Sequence, residues 1–69
     1  MEVLSPTFGT LGLLHVDDGS LVAEGEMLGE VEVMKTFHRI IAPVAGTLTW
    51  LVGLGEVVGE GDVLAEIAE

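Results

Sequence analysis

Lys35 is the sole lysine of this chain and Arg39 its sole arginine, against twelve aspartates and glutamates in 69 residues. A primary amine on a four-carbon stem is a flexible acceptor for an activated acyl group. An amide formed there removes the charge, taking the formal net charge from −10 to −11. No other side-chain amine competes, so such a modification has one place to go. The lysine also lies at the middle of the chain, within Glu30-Val31-Glu32-Val33-Met34-Lys35-Thr36-Phe37-His38-Arg39-Ile40-Ile41. The plain alternative is a solvated lysine at a loop tip; uniqueness and central position favour a chemical task.

Other residue types that could do chemistry are poorly arranged for it. His15 and His38 lack a third ligand at recognisable spacing, so no metal site is expected, and both read as ordinary strand residues. Gly59-Glu60-Gly61-Asp62 is followed by neither helix nor lysine, which argues for a turn rather than a phosphate cradle. Ser5 and Ser20 have no histidine partner at a visible spacing, so hydrolase chemistry is remote. Phe8, Phe37 and Trp50 read as core or partly buried strand residues.

The elements that position Lys35 follow from composition and from a repeat. A chain of this length buries about 60% of the surface its unfolded form exposes, and without cysteine it relies on packing and hydrogen bonds, which favours a closed, regular architecture. The acidic balance makes phosphate backbones and anionic membrane surfaces poor partners. No apolar run approaches the roughly 18 residues of a transmembrane helix. A soluble, monomeric domain over residues 1–69 is expected, without nucleic-acid or membrane partners.

Ser5-Pro6-Thr7-Phe8-Gly9-Thr10-Leu11 aligns with Ala42-Pro43-Val44-Ala45-Gly46-Thr47-Leu48 at an offset of 37. Leu14/Leu51 continues the match. After one extra residue in the first copy, placed between Leu14 and Gly19, the offset becomes 36 and pairs Val22/Val58, Glu24/Glu60, Gly25/Gly61, Leu28/Leu64 and Glu30/Glu66. Each half is one copy of a strand-turn-strand unit. Ten glycines exclude ordinary helices outside the stretch from Glu30 to Ala45. Strands are expected over Gly12–Val16, Met27–Val33, Thr47–Val52 and Val63–Ile67. Turns fall at Asp17-Asp18-Gly19, Ala23-Glu24-Gly25, Gly53-Leu54-Gly55 and Gly59-Glu60-Gly61. Two similar strand sets should pack face to face about a pseudo-twofold axis, closing on each other so that free edges disappear.

The central stretch is better read as a hairpin than as a helix. A helix would place Lys35 and Arg39 four apart as like charges, would start on β-branched Val31 and Val33, and would stop early at Pro43. A hairpin with Met34-Lys35 as its two loop residues instead sets Val33 opposite Thr36, Val31 opposite His38, and Glu30 opposite Arg39 as an opposite-charge pair. Met-Lys is a poor choice for such a turn, which prefers Asn-Gly or Asp-Gly because both residues take positive φ. A turn held against its own preference is a reason to suspect function.

Glu32-Val33-Met34-Lys35-Thr36-Phe37 resembles the attachment motif of biotinyl domains, the biotin carboxyl carrier modules of biotin-dependent carboxylases. The similarity extends from Leu4-Ser5-Pro6 through Val22-Ala23-Glu24-Gly25-Glu26 to Ile40-Ile41-Ala42-Pro43 and Gly59-Glu60-Gly61-Asp62. It implies an all-β fold, a flattened barrel or sandwich of two four-stranded antiparallel sheets with an internal pseudo-twofold repeat. It further implies biotin joined covalently to Lys35, with Met34, Glu32, Val33 and Thr36 completing the motif. Val33 stands where alanine is commoner and Thr36 where a second methionine is. There is no room in the first half for the protruding thumb of some bacterial carriers, so the thumbless type is indicated.

The partners implied are a biotin protein ligase, a biotin carboxylase and a carboxyltransferase, as in acyl-CoA or pyruvate carboxylases, with the domain itself a non-catalytic carrier. Glu32 could mark the ligase docking surface, and Met34 an adaptable apolar contact. A cytoplasmic location is implied, or the mitochondrial matrix or a plastid in a eukaryote. Two alternatives stay open. A lipoyl carrier shares the fold but usually has Asp-Lys at the tip, and an unmodified assembly module needs no cofactor.

Overall fold

A computed structural model describes residues 1–69. Eight strands follow one another: β1 Glu2–Leu4, β2 Gly9–Leu14, β3 Leu21–Val22, β4 Met27–Val33, β5 Thr36–Ile41, β6 Gly46–Trp50, β7 Val57–Val58 and β8 Val63–Ala68. They form two antiparallel four-stranded sheets, β1-β8-β6-β3 and β5-β4-β2-β7. The expected all-β sandwich is therefore found. No helix is long and apolar enough to cross a membrane.

The four turns lie where the glycines placed them, and Gly19, Gly25, Gly55 and Gly61 all hold φ between 85° and 89°. Acidic side chains close three of them from within. Glu26 accepts from the Ala23 amide at 2.9 Å, Asp62 from Gly59 at 2.7 Å, and Glu56 from Gly53. The acidic composition is thus partly a turn vocabulary.

The repeat governs the interior. The fourteen buried residues resolve into seven pseudo-twofold pairs: Val3/Ile40, Ser5/Ala42, Leu11/Leu48, Val22/Val58, Leu28/Leu64, Gly29/Ala65 and Val31/Ile67. Hydrogen bonds repeat likewise. Ser5 exchanges bonds with Gly61 and Asp62 as Ala42 does with Gly25 and Glu26. Ser5, the one buried polar side chain, donates its hydroxyl to the Thr7 carbonyl at 2.7 Å, which makes it a structural residue.

Four expectations need correction. First, the extra residue of the first copy is not between Leu14 and Gly19: it is Gly12. Against β4, Leu11 pairs with Val31 and Leu13 with Glu30, leaving Gly12 as a β-bulge, whereas Leu48 and Thr49 pair with Ile67 and Glu66 without interruption. The partner of Leu14 is therefore Trp50, not Leu51, and the two pack alike against the core. Second, Phe8 and Phe37 are not core residues; they are 65% and 56% exposed. Trp50 is partly buried and donates its indole N–H to the Val16 carbonyl at 3.0 Å. Third, the sheets keep their edges. Two of the four edge strands have two residues and β1 has three, too short to recruit another chain, while β5 has six. Fourth, His15 lies just past β2 in an exposed bend, while His38 is in β5.

Candidate functional site: the hairpin tip

Strands β4 and β5 pair in the anticipated register: Val33 with Thr36, Glu32 with Phe37, Val31 with His38, and Glu30 with Arg39. Met34 and Lys35 are the two loop residues, with φ of 48° and 67°, the only non-glycine residues of the chain at positive φ. Left-handed backbone costs an L-residue about 1–2 kcal/mol. Two adjacent residues carry that strain here because the flanking strands twist in the sense that only a mirror-image turn can close. Alternation then sets the burial, with Val31 and Ile40 inside and Glu32, Phe37 and Arg39 on the outer face.

The base of the hairpin is tightly held. Gly9, at the start of β2, abuts it so closely that a Cβ there would meet the Glu32 carbonyl oxygen and lie 2.8 Å from side-chain carbons of Val31 and Val33. One bulge further along β2, the Leu13 carbonyl presses on Gly29 in the same way. Glycine at both positions lets β2 brace β4 at close range.

At the apex the opposite condition holds. Met34 is 93% exposed and Lys35 is exposed, and the Lys35 ammonium makes no hydrogen bond or ion pair. The only ion pair of the molecule joins the Met1 amino group to Glu66 at 3.4 Å. Glu30 and Arg39 are opposite in register yet do not form the close ion pair that opposite charges suggested. A free amine on a rigid base can be reached from most directions and can carry an acyl group without losing a native contact.

The motif residues thus gather in one hairpin, with Met34, Lys35 and Thr36 exposed and Glu32 and Val33 half-buried. Phe8, read from the sequence as a core or partly buried strand residue, is exposed and immediately precedes Gly9 of β2. Its exposure left no local signal, because an aromatic residue before a strand more often packs inward. No three histidine, aspartate or glutamate side chains converge as a metal site would require.

The architecture and apex define a small two-sheet domain that presents one lysine on a braced hairpin. The sequence matches the family described as "Biotin-requiring enzyme" over residues 1–67, and the chain belongs to that family. It is 36% identical to the acetyl-CoA carboxylase of Dictyostelium discoideum over 86% of its length, and 33% identical to the mitochondrial acetyl-CoA carboxylase of Saccharomyces cerevisiae over 96%. It spans 3% of the length of each of those relatives. Among solved structures it resembles the Kluyveromyces lactis urea carboxylase, with TM-score 0.89 and 26% identity over 99% of this chain and 6% of that one. It also resembles a single-chain, multi-domain long-chain acyl-CoA carboxylase, with TM-score 0.81 and 31% identity over 94% of this chain and 7% of that one. All four are carboxylases, and a biotin carboxyl carrier role is supported over the lipoyl alternative.

Proposed function

We propose that Lys35 Nζ is the attachment point for biotin, and that the chain serves as the non-catalytic carrier of a biotin-dependent carboxylase. The observation that carries this reading is the geometry of the apex: the one side-chain amine, on a two-residue turn at positive φ, without a partner. In the attachment step the neutral amine attacks the activated carboxyl carbon of biotin. A C–N bond forms, the activating group leaves with its bonding pair, and the nitrogen loses a proton. Once bound, the biotin ring supplies the chemistry of carrying a carboxyl group.

The residues of this chain do three things. Lys35 supplies the amine and a flexible stem. Met34, with no native contact to lose, gives incoming partners an adaptable apolar surface. The strands below keep the anchor in one place while the arm beyond it moves between a biotin carboxylase and a carboxyltransferase. A biotin protein ligase is the partner for attachment. The acetyl-CoA and long-chain acyl-CoA carboxylase relatives favour an acyl-CoA acceptor, and the mitochondrial yeast relative favours a mitochondrial location.

Intact mass after incubation with a biotin protein ligase, biotin and ATP tests the reading. One biotinyl group should be added to the wild-type chain and none to Lys35→Arg. Addition to both, to neither, or of a lipoyl group by a lipoyl ligase alone overturns it.

A further inference from the structure

Two exposed phenyl rings flank the one lysine. Continuing the pairing of Leu11 with Val31 and Thr10 with Glu32 brings Gly9 level with Val33 and Phe8 level with Met34. The close approach of Gly9 agrees, since a Cβ there would lie 2.8 Å from a side-chain carbon of Val33. At strand spacings of about 4.8 Å, Phe8 stands within about 10 Å of Lys35 from Cα to Cα. Phe37 follows Lys35 by two residues on β5, about 7 Å away in an extended strand. The fold does not ask for this arrangement. The pseudo-twofold puts Ala45 at the position of Phe8 and Ala68 at the position of Glu32, so a methyl group suffices at both counterparts.

Glu32 and Phe37 are the second cross-strand pair below the turn, side by side on the outer face of the hairpin sheet. The half-buried Glu32 carboxylate accepts no hydrogen bond and forms no ion pair. Two apolar rings and an unused acceptor thus surround the foot of the Lys35 side chain. The molecule has no cavity to hold a free ligand, so an occupant of this open patch has to be present at high local concentration. A group joined to Lys35 meets that condition, because a short flexible tether holds it at an effective concentration in the millimolar range.

The chemistry of the biotin head matches what the patch offers. Its sulfur-containing ring is an apolar surface with a thioether, which packs favourably at the edge of aromatic rings. Its ureido ring carries N–H donors, for which the Glu32 carboxylate is a charge-assisted acceptor. The lysine stem and the pentanoyl chain of biotin together reach farther than either phenylalanine. We propose that Phe8, Phe37 and Glu32 form a rest site where the head of the biotin attached to Lys35 folds back onto the domain. This rests on the carrier reading above. The site selects the unloaded head. Taking up a carboxyl group exchanges a ureido N–H for an anion, which removes a donor and sets like charge against Glu32. The unloaded head therefore rests on the domain, and the loaded head is released toward the partner enzyme.

The test is an isotope-filtered nuclear Overhauser spectrum of the labelled chain carrying unlabelled biotin, brought to one biotin per chain by a biotin protein ligase as judged by intact mass. Cross-peaks are expected from the protons of the biotin head to the rings of Phe8 and Phe37. Phe8→Ala should weaken those to Phe37, and Phe37→Ala those to Phe8. Glu32→Ala should weaken both sets, whereas Leu21→Ala, 82% exposed on the other sheet, should leave them unchanged. Loading the head with a biotin carboxylase, ATP and bicarbonate should abolish them. A chain that takes up biotin without showing the cross-peaks overturns the rest site and leaves the carrier reading standing. Cross-peaks that survive both Glu32→Ala and loading overturn the selection by charge. A wild-type chain that accepts no biotin overturns the carrier reading and the rest site together.

Discussion

The two ends of the molecule are one design executed twice with different outcomes. The pseudo-twofold relates β4 to β8 and β5 to β1, so the β4–β5 hairpin corresponds to the place where the first and last strands meet. From Gly9 beside Val33, β2 and β3 carry the chain away from the tip to Val22. That residue pairs with Gly46, where a Cβ would collide with the Ala68 carbonyl, at the other end of a body 33 Å long. Gly9 and Gly46 brace the two ends alike. At one end the strands continue into a strained turn bearing a lysine. At the other, the pairing of β1 with β8 sets Glu2 opposite Glu66, and the Ile67 amide donates to the Met1 carbonyl. Both ends share the glycine brace and the paired core positions, while the left-handed Met34-Lys35 turn is a feature of the hairpin.

The bulge sharpens this contrast. In the terminal sheet Ala65 takes the place of Gly29, and its methyl fits because β6 runs past without interruption. In the hairpin sheet the extra Gly12 shifts the Leu13 carbonyl onto β4, and only glycine can stand at position 29. Gly12 and Gly29 are therefore one coupled feature.

The comparison can be broken most directly by moving the lysine. In a Lys35→Arg background, Glu69→Lys puts an amine at the counterpart of Val33. Intact mass should register complete loss of biotin transfer, since position 69 lies outside the left-handed two-residue turn that presents Lys35. Restored transfer would show that the ligase needs only an exposed amine.

Next in size is the bulge. Gly29→Ala should destabilise by about 2–3 kcal/mol in denaturant unfolding, because the added methyl meets backbone that cannot yield. Ala65→Gly should cost about 1–2 kcal/mol, through lost burial and a looser unfolded chain. If the two glycines are coupled, deleting Gly12 should make Gly29→Ala cheaper by about 1 kcal/mol or more in a double-mutant cycle. Additive effects would separate the glycines.

The turn comes third. Met34→Gly removes the penalty on one left-handed residue and should stabilise the chain by about 1 kcal/mol. That is a rise of roughly 4–8 °C in Tm for a domain of this size. An unchanged or lower Tm would mean that the turn is not strained.

The smallest effect belongs to surface charge. Glu2→Lys places opposite charges across β1 and β8 and should add about 0.2–1 kcal/mol at low salt, an effect that fades as salt is raised. Arg39→Glu at the equivalent hairpin site should subtract a similar amount. Equal responses at both ends would show that the Glu30 and Arg39 pairing is generic electrostatics rather than part of the site.

Much of this was legible in the residues. The hairpin register followed from period-two alternation of Glu30-Val31-Glu32-Val33, and the turns from glycines that tolerate φ near 85°. The bulge was not legible. Leu14 and Leu51 share an identity that draws any alignment toward them, whereas Leu14 and Trp50 share only a place against the core. Phe8 and Phe37 were misread for a related reason: aromatic character favours burial on average, and only the register says which face a given ring occupies. Glu30 and Arg39 were placed opposite each other correctly, but long side chains in water need not meet.

The amino-acid order alone determined the repeat, the all-β class, the turns and the one amine available for modification, because these depend on local backbone preference and residue type. Tertiary structure decided where the extra residue is absorbed, which strand edges stay open, which aromatic rings face water, and that Met34 and Lys35 hold left-handed backbone against their own preference. Those outcomes depend on which strand lies beside which. Contacts between residues far apart in the chain override local preference whenever the packing they gain exceeds the strain they impose.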